Sequence, residues 1–206
     1  MTNDSGKKKL IVFGAGGRVG RAVVAEARAR GYGVTEAGRA DGNVTSAADV
    51  ARLAAGHDAA VVAVYDAQAV PGEFFPAVGR ALAAGLPRAG VGRLVVVGLA
   101  SVLATEAGAP LMDTPGYPQE WRGFCVGHAA GTEALRAAAP AGLDWAVLSP
   151  AGDFGEGPEA GAGARGYAFA AAEAASRITH ADFARAVVEE ATAPTRHAEH
   201  AGVGPV

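Results

Sequence analysis

Leu10-Ile11-Val12-Phe13 runs straight into Gly14-Ala15-Gly16-Gly17-Arg18-Val19-Gly20, and an amphipathic stretch follows. Strand, glycine turn and helix in that order make a phosphate cradle. Backbone N–H groups at a helix N-terminus attract an anion, and glycines leave no Cβ in its way. Gly14 is suited to the tight turn, Gly16 or Gly17 to close approach of a pyrophosphate, and Gly20 to packing the helix on the strand. Gly14, Gly17 and Gly20 fit a G-x-x-G-x-x-G spacing, whereas the stricter G-x-G-x-x-G form fails because Val19 stands at its last position. The chemistry this predicts is dinucleotide binding. The end of the second strand selects the dinucleotide, since an acid there binds the ribose 2′-hydroxyl and an arginine favours a 2′-phosphate. Glu36 lies within that strand and Arg39 just beyond it, after Gly38. Arg18, with a planar fork suited to phosphate, offers a second cation. NADP(H) is the expected cofactor, with NAD(H) as the alternative.

Hydrophobic periodicity supplies the elements that must hold these residues. Leu10 to Phe13 reads as the first strand, Arg18 to Arg30 as a helix and Gly33 to Ala37 as the second strand. Ser46 can N-cap a short helix through Leu53. Ala59 to Tyr65 has the continuous apolar character of a strand covered on both faces, and Glu73 to Ala84 reads as a helix with Pro76 in its first turn. Arg93 to Val97 is a strand, Gly123 to Ala139 a helix and Leu143 to Leu148 a strand. Thr179, with Asp182 three residues on, can cap a helix through Ala191, and Ala201 to Val206 closes the chain as a short strand. Such alternation predicts an α/β, doubly wound parallel sheet of Rossmann-like form, one domain over residues 1–206 with a small C-terminal cap region. Ala151 to Gly166, rich in Gly, Ala, Glu and Pro, is expected to be a flexible loop or lid.

The 206 residues are half apolar and 19% charged, which excludes a disordered chain and is ample for one core. A net charge of −3 leaves no bulk positive field to hold nucleic acid or an anionic membrane. Lys7-Lys8-Lys9 is read as a solvated run. The single cysteine, Cys125, excludes an internal disulfide and a multi-cysteine zinc site, and its apolar neighbours mark it as inert. No apolar run approaches the roughly 18 to 20 residues of a membrane span, and the run after Lys9 stops at Gly14, too short for a signal-peptide core. A cytoplasmic protein is expected. His197 and His200, beside Pro194 and without a third ligand nearby, are not read as a metal site.

Ile11 to Gly20, Val44 ahead of a serine-started helix, Leu94-Val95-Val96-Val97-Gly98, Leu111-Met112-Asp113-Thr114-Pro115, Gly142-Leu143-Asp144-Trp145 and Ser149-Pro150-Ala151-Gly152 together carry a family likeness. The chain resembles the NAD(P)H-binding, NmrA-like branch of the atypical short-chain dehydrogenase/reductases, including the NADH-flavin reductase group within it. The resemblance implies that Asn43 and Val44 flank the adenine, that Ala63 and Val64 approach the cofactor, and that Pro150 lies beside the nicotinamide.

Short-chain dehydrogenases use a Tyr-x-x-x-Lys pair for proton transfer, but the matching segment here reads Phe124-Cys125-Val126-Gly127-His128. Phenylalanine donates no proton, so the standard relay is absent. His128, as a weak acid or ribose contact, and Ser101, in the region of the family's catalytic serine, are the catalytic candidates. Tyr65, Asp66, Tyr117 and Trp121 are expected to face the strand-end crevice, where aromatic rings can stack on a planar ligand. The leading expectation is an NADPH-dependent reductase of a planar small-molecule acceptor such as a flavin or quinone, which can take its proton from water. A non-catalytic NADP(H)-binding redox sensor, or an isomerase or tailoring enzyme of the same fold, is the alternative.

Overall fold

The computed structural model describes residues 7–156 and 166–206. In chain order the elements are β1 (Lys9–Phe13), α1 (Arg18–Ala29), β2 (Gly33–Ala37), α2 (Ala47–Ala54), β3 (Ala59–Val62), α3 (Pro71–Arg88), β4 (Arg93–Val97), α4 (Arg122–Ala138), β5 (Asp144–Pro150), β6 (Asp153–Gly155), β7 (Tyr167–Phe169), β8 (Arg177–Thr179), α5 (His180–Thr192) and β9 (Glu199–Pro205). Seven strands form one sheet in the order β2-β1-β3-β4-β5-β9-β7. All neighbours from β2 to β9 are parallel, and only β7 runs antiparallel, against β9. The expected Rossmann-like α/β architecture is therefore present.

Strand pleating divides the core into two layers. Leu10, Val12, Val61, Val95 and Leu148 pack with α1 and α5, whereas Ile11, Val62, Leu94, Trp145 and Val147 pack with α2, α3 and α4. Every residue of β3 is buried because both faces are covered. Ser46 caps α2 by accepting from the Asp49 N–H, and Thr179 caps α5 by accepting from the Asp182 N–H, as the sequence predicts. Helices α3 and α4 meet at unusually small separation. A Cβ added at Gly131 would stand 2.7 Å from Phe75 Cβ, and one at Gly127 would stand 2.6 Å from the Pro71 backbone. This contact seats the N-terminal half of α4 against the carboxyl end of the sheet.

Several boundaries differ from expectation. β3 stops at Val62, because Ala63 to Tyr65 turn out of the sheet although they stay apolar in type. α3 begins at Pro71 rather than Glu73 and runs on to Arg88; Pro71 takes the first helical position, and Pro76 lies in the interior, where its missing N–H leaves the Gly72 carbonyl without a helical donor. Part of the expected loop from Ala151 to Gly166 is ordered by backbone pairing, since β6 and β8 form a parallel two-stranded ribbon. Gly152 permits it, for a Cβ there would meet the Ser176 carbonyl at 2.2 Å. Residues 157–165 of that loop lie outside the described residues.

Candidate nucleotide site and its catalytic end

The glycine turn at the end of β1 is shaped by steric necessity at two positions. Gly14 has φ +79°, and an added Cβ would lie 2.2 Å from the Ala63 carbonyl oxygen; at Gly20 it would lie 2.1 Å from the Gly14 carbonyl oxygen. Gly14 thus lets the turn cross β3, and Gly20 lets α1 settle on the turn. Gly16 faces open space, while Gly17, the N-cap of α1, offers no side chain to satisfy the first helical N–H groups. Those N–H groups of Arg18, Val19 and Gly20 have no intrahelical acceptor and form the positive end of the α1 dipole. Arg21 Nε donates to the Gly16 carbonyl at 2.7 Å and braces the loop from outside it. Sequence spacing did not single out Arg21, although an arginine one turn into the helix is a visible signal. Val19 packs partly on the α1–α5 core. Arg18 is exposed and acts on His180 at the start of α5, whose pKa is lowered by burial and further by the Arg18 charge, against the opposing pull of Glu156.

Beside the turn lies a cleft of about 440 Å³ at the ends of β1, β2 and β3, with Gly14, Arg39, Asn43, Val44 and Val64 in its lining. The two candidates for reading the ribose are separated here. Glu36 pairs with Arg28 of α1 at 2.7 Å, on the helix side of β2. Arg39 lines the cleft itself, with Nη2 3.4 Å from the Tyr65 carbonyl oxygen and Nη1 3.8 Å from Asp66. A turn built from short polar side chains forms the far wall. Asp41 Oδ2 accepts from the Gly38 N–H at 2.8 Å, and Asn43 Oδ1 accepts from the Thr45 N–H at 2.9 Å. Asp49 accepts from the Asn43 N–H at 2.9 Å; that bond first, and Arg52 second, hold its carboxyl below the usual range. Asn43, two residues before the Thr45 N–H it accepts from, carries the local signature of such a turn, whereas Asp41 and Asp49, which the sequence did not single out, accept from donors three and six residues earlier.

At the other end, Ala63 leaves β3 while its N–H still donates to the Phe13 carbonyl at 2.9 Å, and Pro150 is buried at the end of β5. Phe124, near the start of α4, makes edge contacts with Tyr65 and Phe75, each at 5.6 Å between ring centres. His128 lies deeper, 4.3 Å from the Phe75 ring and only 8% exposed, with no hydrogen-bond partner at Nδ1. Burial, aided by His200, lowers its pKa to about 4, so the ring is neutral at pH 7. His200 is not a metal ligand candidate: its Nε2 is 2.7 Å from Ser149 Oγ, whereas His197 turns to Asp144 at 3.0 Å. Burial, then the Arg136 charge, lowers the His200 pKa to about 4. Among the described residues no three metal-type side chains cluster. The Ser149–His200 pair escaped the sequence reading because 51 residues separate its members and only the β5–β9 pairing joins them. Ser101 is buried on a short turn after β4, close to Tyr117. Cys125 is buried, and Trp121 and Tyr65 are exposed at 63% and 58%.

A glycine turn with no room for a Cβ at Gly14 or Gly20, an uncapped helix N-terminus and an adjoining cleft fit a dinucleotide. The comparisons agree. Residues 36–194 match the model of the NAD(P)H-binding family. The chain is 32% identical to the uncharacterized protein YwnB of Bacillus subtilis (strain 168), over 93% of this chain and 94% of YwnB. Among solved structures, it is 27% identical to a Burkholderia pseudomallei protein provisionally named an exported protein, covering 96% of this chain and 99% of the other at a TM-score of 0.79. Another, SP1627 from Streptococcus pneumoniae TIGR4, is provisionally named an NADH-flavin reductase; it is 26% identical over 97% of this chain and 100% of its own, with a TM-score of 0.74. The chain belongs to the NAD(P)H-binding family, a Rossmann-like oxidoreductase group within the atypical short-chain dehydrogenase/reductases. It binds a nicotinamide cofactor. No helix among the described residues is long and apolar enough to cross a membrane.

Proposed function

We propose that this protein is a reductase that prefers NADPH and serves a planar acceptor such as a flavin or quinone, through a site built within one domain. The single observation behind the NADPH preference is the division of labour after β2: Glu36 is held by Arg28 outside the cleft, and Arg39 stands in its lining. An arginine in the cleft lining, beside an acid engaged elsewhere, favours a 2′-phosphate over a 2′-hydroxyl. In this reading the N–H groups around Gly16, Gly17, Arg18, Val19 and Gly20 hold the pyrophosphate, and Gly14 sets the turn. Asn43 and Val44 flank the adenine, Ala63 and Val64 border the middle of the cofactor, and Pro150 backs its nicotinamide. The bound cofactor supplies a hydride from its reduced ring. Phe124 closes that end with an apolar wall which excludes water, and Tyr65, exposed beside it, offers a face on which a planar ring can stack.

Likeness to SP1627 supports the planar acceptor, and the absence of a tyrosine at position 124 agrees with chemistry that needs no Tyr-x-x-x-Lys pair. Calorimetry with NADPH and NADH, followed by NADPH oxidation with menadione and with FMN, tests the reading. Tighter NADPH binding and steady turnover with either acceptor are expected. Equal affinities would remove the preference, and tight binding without turnover would favour a redox sensor.

A further inference from the structure

Arg39 reaches across the nucleotide cleft and ends against an acid that has no part in the site described so far. In the sheet order β2-β1-β3, the strand that Arg39 follows and the strand that Asp66 follows stand on either side of β1. The guanidinium therefore spans the end of β1, in the same lining as Gly14, with Nη2 3.4 Å from the Tyr65 carbonyl oxygen and Nη1 3.8 Å from Asp66 Oδ1. Both contacts are long for a charged group, and the Arg39 side chain is 76% exposed. It is held loosely, so a stronger anion can draw it away.

Asp66 is the fixed member of the pair. Its Oδ1 accepts from the Gln68 N–H at 3.0 Å, and its carbonyl accepts from the Ala69 N–H at 3.3 Å, so the turn after β3 sets the carboxylate on the cleft wall. Asp41, the other acid in that lining, commits Oδ2 to the Gly38 N–H at 2.8 Å, on the β2 side of the cleft. An anion that takes Arg39 must therefore draw it from Asp66 or share it with Asp66. A 2′-phosphate is a dianion that the carboxylate repels, whereas a 2′-hydroxyl brings no charge to oppose. The same aspartate thus acts differently on the two cofactors.

We propose that Asp66 is a specificity-determining residue of the nucleotide site: its carboxylate ties Arg39 across the cleft and opposes a 2′-phosphate, and so limits the NADP(H) preference that Arg39 creates. This rests on the reading of Arg39 given above and deepens it. Cofactor choice is then a balance between an arginine after β2 and an aspartate after β3. Two consequences separate Asp66 from a residue that merely shapes the cleft. Its effect is electrostatic, so it falls as salt screens the exposed groups. It also acts through Arg39, so it depends on that side chain being present. Asp66→Asn removes the charge and keeps an oxygen to accept from the Gln68 N–H, which leaves the turn after β3 its hydrogen bond.

The test titrates NADP+, NAD+ and adenosine 2′,5′-bisphosphate by calorimetry into wild type, Asp66→Asn, Arg39→Ala and the double variant, with thermal melting as the check on folding. None of these measurements needs turnover. Asp66→Asn is expected to bind NADP+ and the bisphosphate about fivefold more tightly and NAD+ within about twofold of wild type, the size of an exposed charge contact made against a dianion. The gain should fall below about twofold in the Arg39→Ala background and shrink as ionic strength rises. Unchanged or weaker NADP+ binding by a folded Asp66→Asn, equal gains for NADP+ and NAD+, or the same gain with and without Arg39 overturns the proposal. If Arg39→Ala weakens NADP+ binding while Asp66→Asn gains nothing, the reading of Arg39 stands and only the role of Asp66 falls. If Arg39→Ala leaves NADP+ binding unaltered, both fall together.

Discussion

Two residues separate Glu36 from Arg39, and their surroundings differ. Glu36 is on the α1 side of β2, bonded to Arg28, while Arg39 follows the strand into the cleft. Arg39→Ala is expected to weaken NADPH binding by about 1.5 to 3 kcal/mol, the range of a charged hydrogen bond, and to leave NADH nearly unchanged. Calorimetry on both cofactors checks this, and equal losses would return the choice to Glu36. His128 and His200 make a different prediction. Burial lowers both pKa values from the ordinary 6.5 to about 4, so both are neutral in the fold at pH 7. The unfolded chain takes up protons first as pH falls. Their contribution to stability is therefore complete above pH 6.5 and is lost as pH falls toward about 4. Urea midpoints measured from pH 7 to 5 should decline in the wild type and decline less in His128→Gln. For the same reason kcat should show no histidine limb between about pH 6 and 8.

Helix placement rests on glycines, and they fall into two kinds. At Gly17 a Cβ would stand 3.3 Å from the Gly14 carbonyl oxygen, a contact a small shift can relieve, so Gly17→Val is expected to fold. Its branched side chain would nevertheless cover the N-terminus of α1, and NADPH affinity should collapse; unchanged affinity in a folded variant would sink the assignment of the loop. Gly131 is of the second kind, because its Cβ would meet Phe75 Cβ at 2.7 Å and the Phe75 backbone at 3.0 Å. Gly131→Ala must push α4 away from α3 and should cost about 1 to 3 kcal/mol in denaturant unfolding. Phe124 and His128 ride on α4, so the same displacement should loosen the catalytic end.

Across the whole molecule, the site occupies the carboxyl ends of the strands and an ion cluster secures their amino ends. Arg93, the first residue of β4, reaches Asp144 at the start of β5 at 2.9 Å and Glu190 of α5 at 3.1 Å. Glu190 is 2% exposed and also accepts from the N–H groups of Thr195 and Arg196, each at 3.0 Å. Removing the Glu190 carboxylate would leave Arg93 with Asp144 and strip the N–H groups of Thr195 and Arg196 of their acceptor. Glu190→Ala is therefore expected to cost about 1 to 3 kcal/mol by urea unfolding. NADPH affinity of the folded protein should be preserved, since the cluster and the nucleotide cleft are at opposite ends of the sheet.

By itself the sequence determined whatever depends on near neighbours in the chain. The glycine turn between β1 and α1, the caps at Ser46 and Thr179, the limits of β2 and β4 and the alternation that demands a parallel sheet are all local patterns of spacing and side-chain type. Tertiary structure decided the rest. The length of β3 turned on where its hydrogen-bonding neighbours ended, not on where apolar residues ended. The pairing of β6 with β8 came from backbone groups that a composition of Gly, Ala and Glu does not advertise. Arg39, just beyond the strand end, is favoured over Glu36 already along the chain, and the pairing of Glu36 with Arg28 of α1 comes only with the fold. Ser149 meets His200 because the pairing of β5 with β9 brings distant segments together. Hydrogen bonds between residues so far apart leave no periodic mark in the chain, and only the folded arrangement supplies their partners.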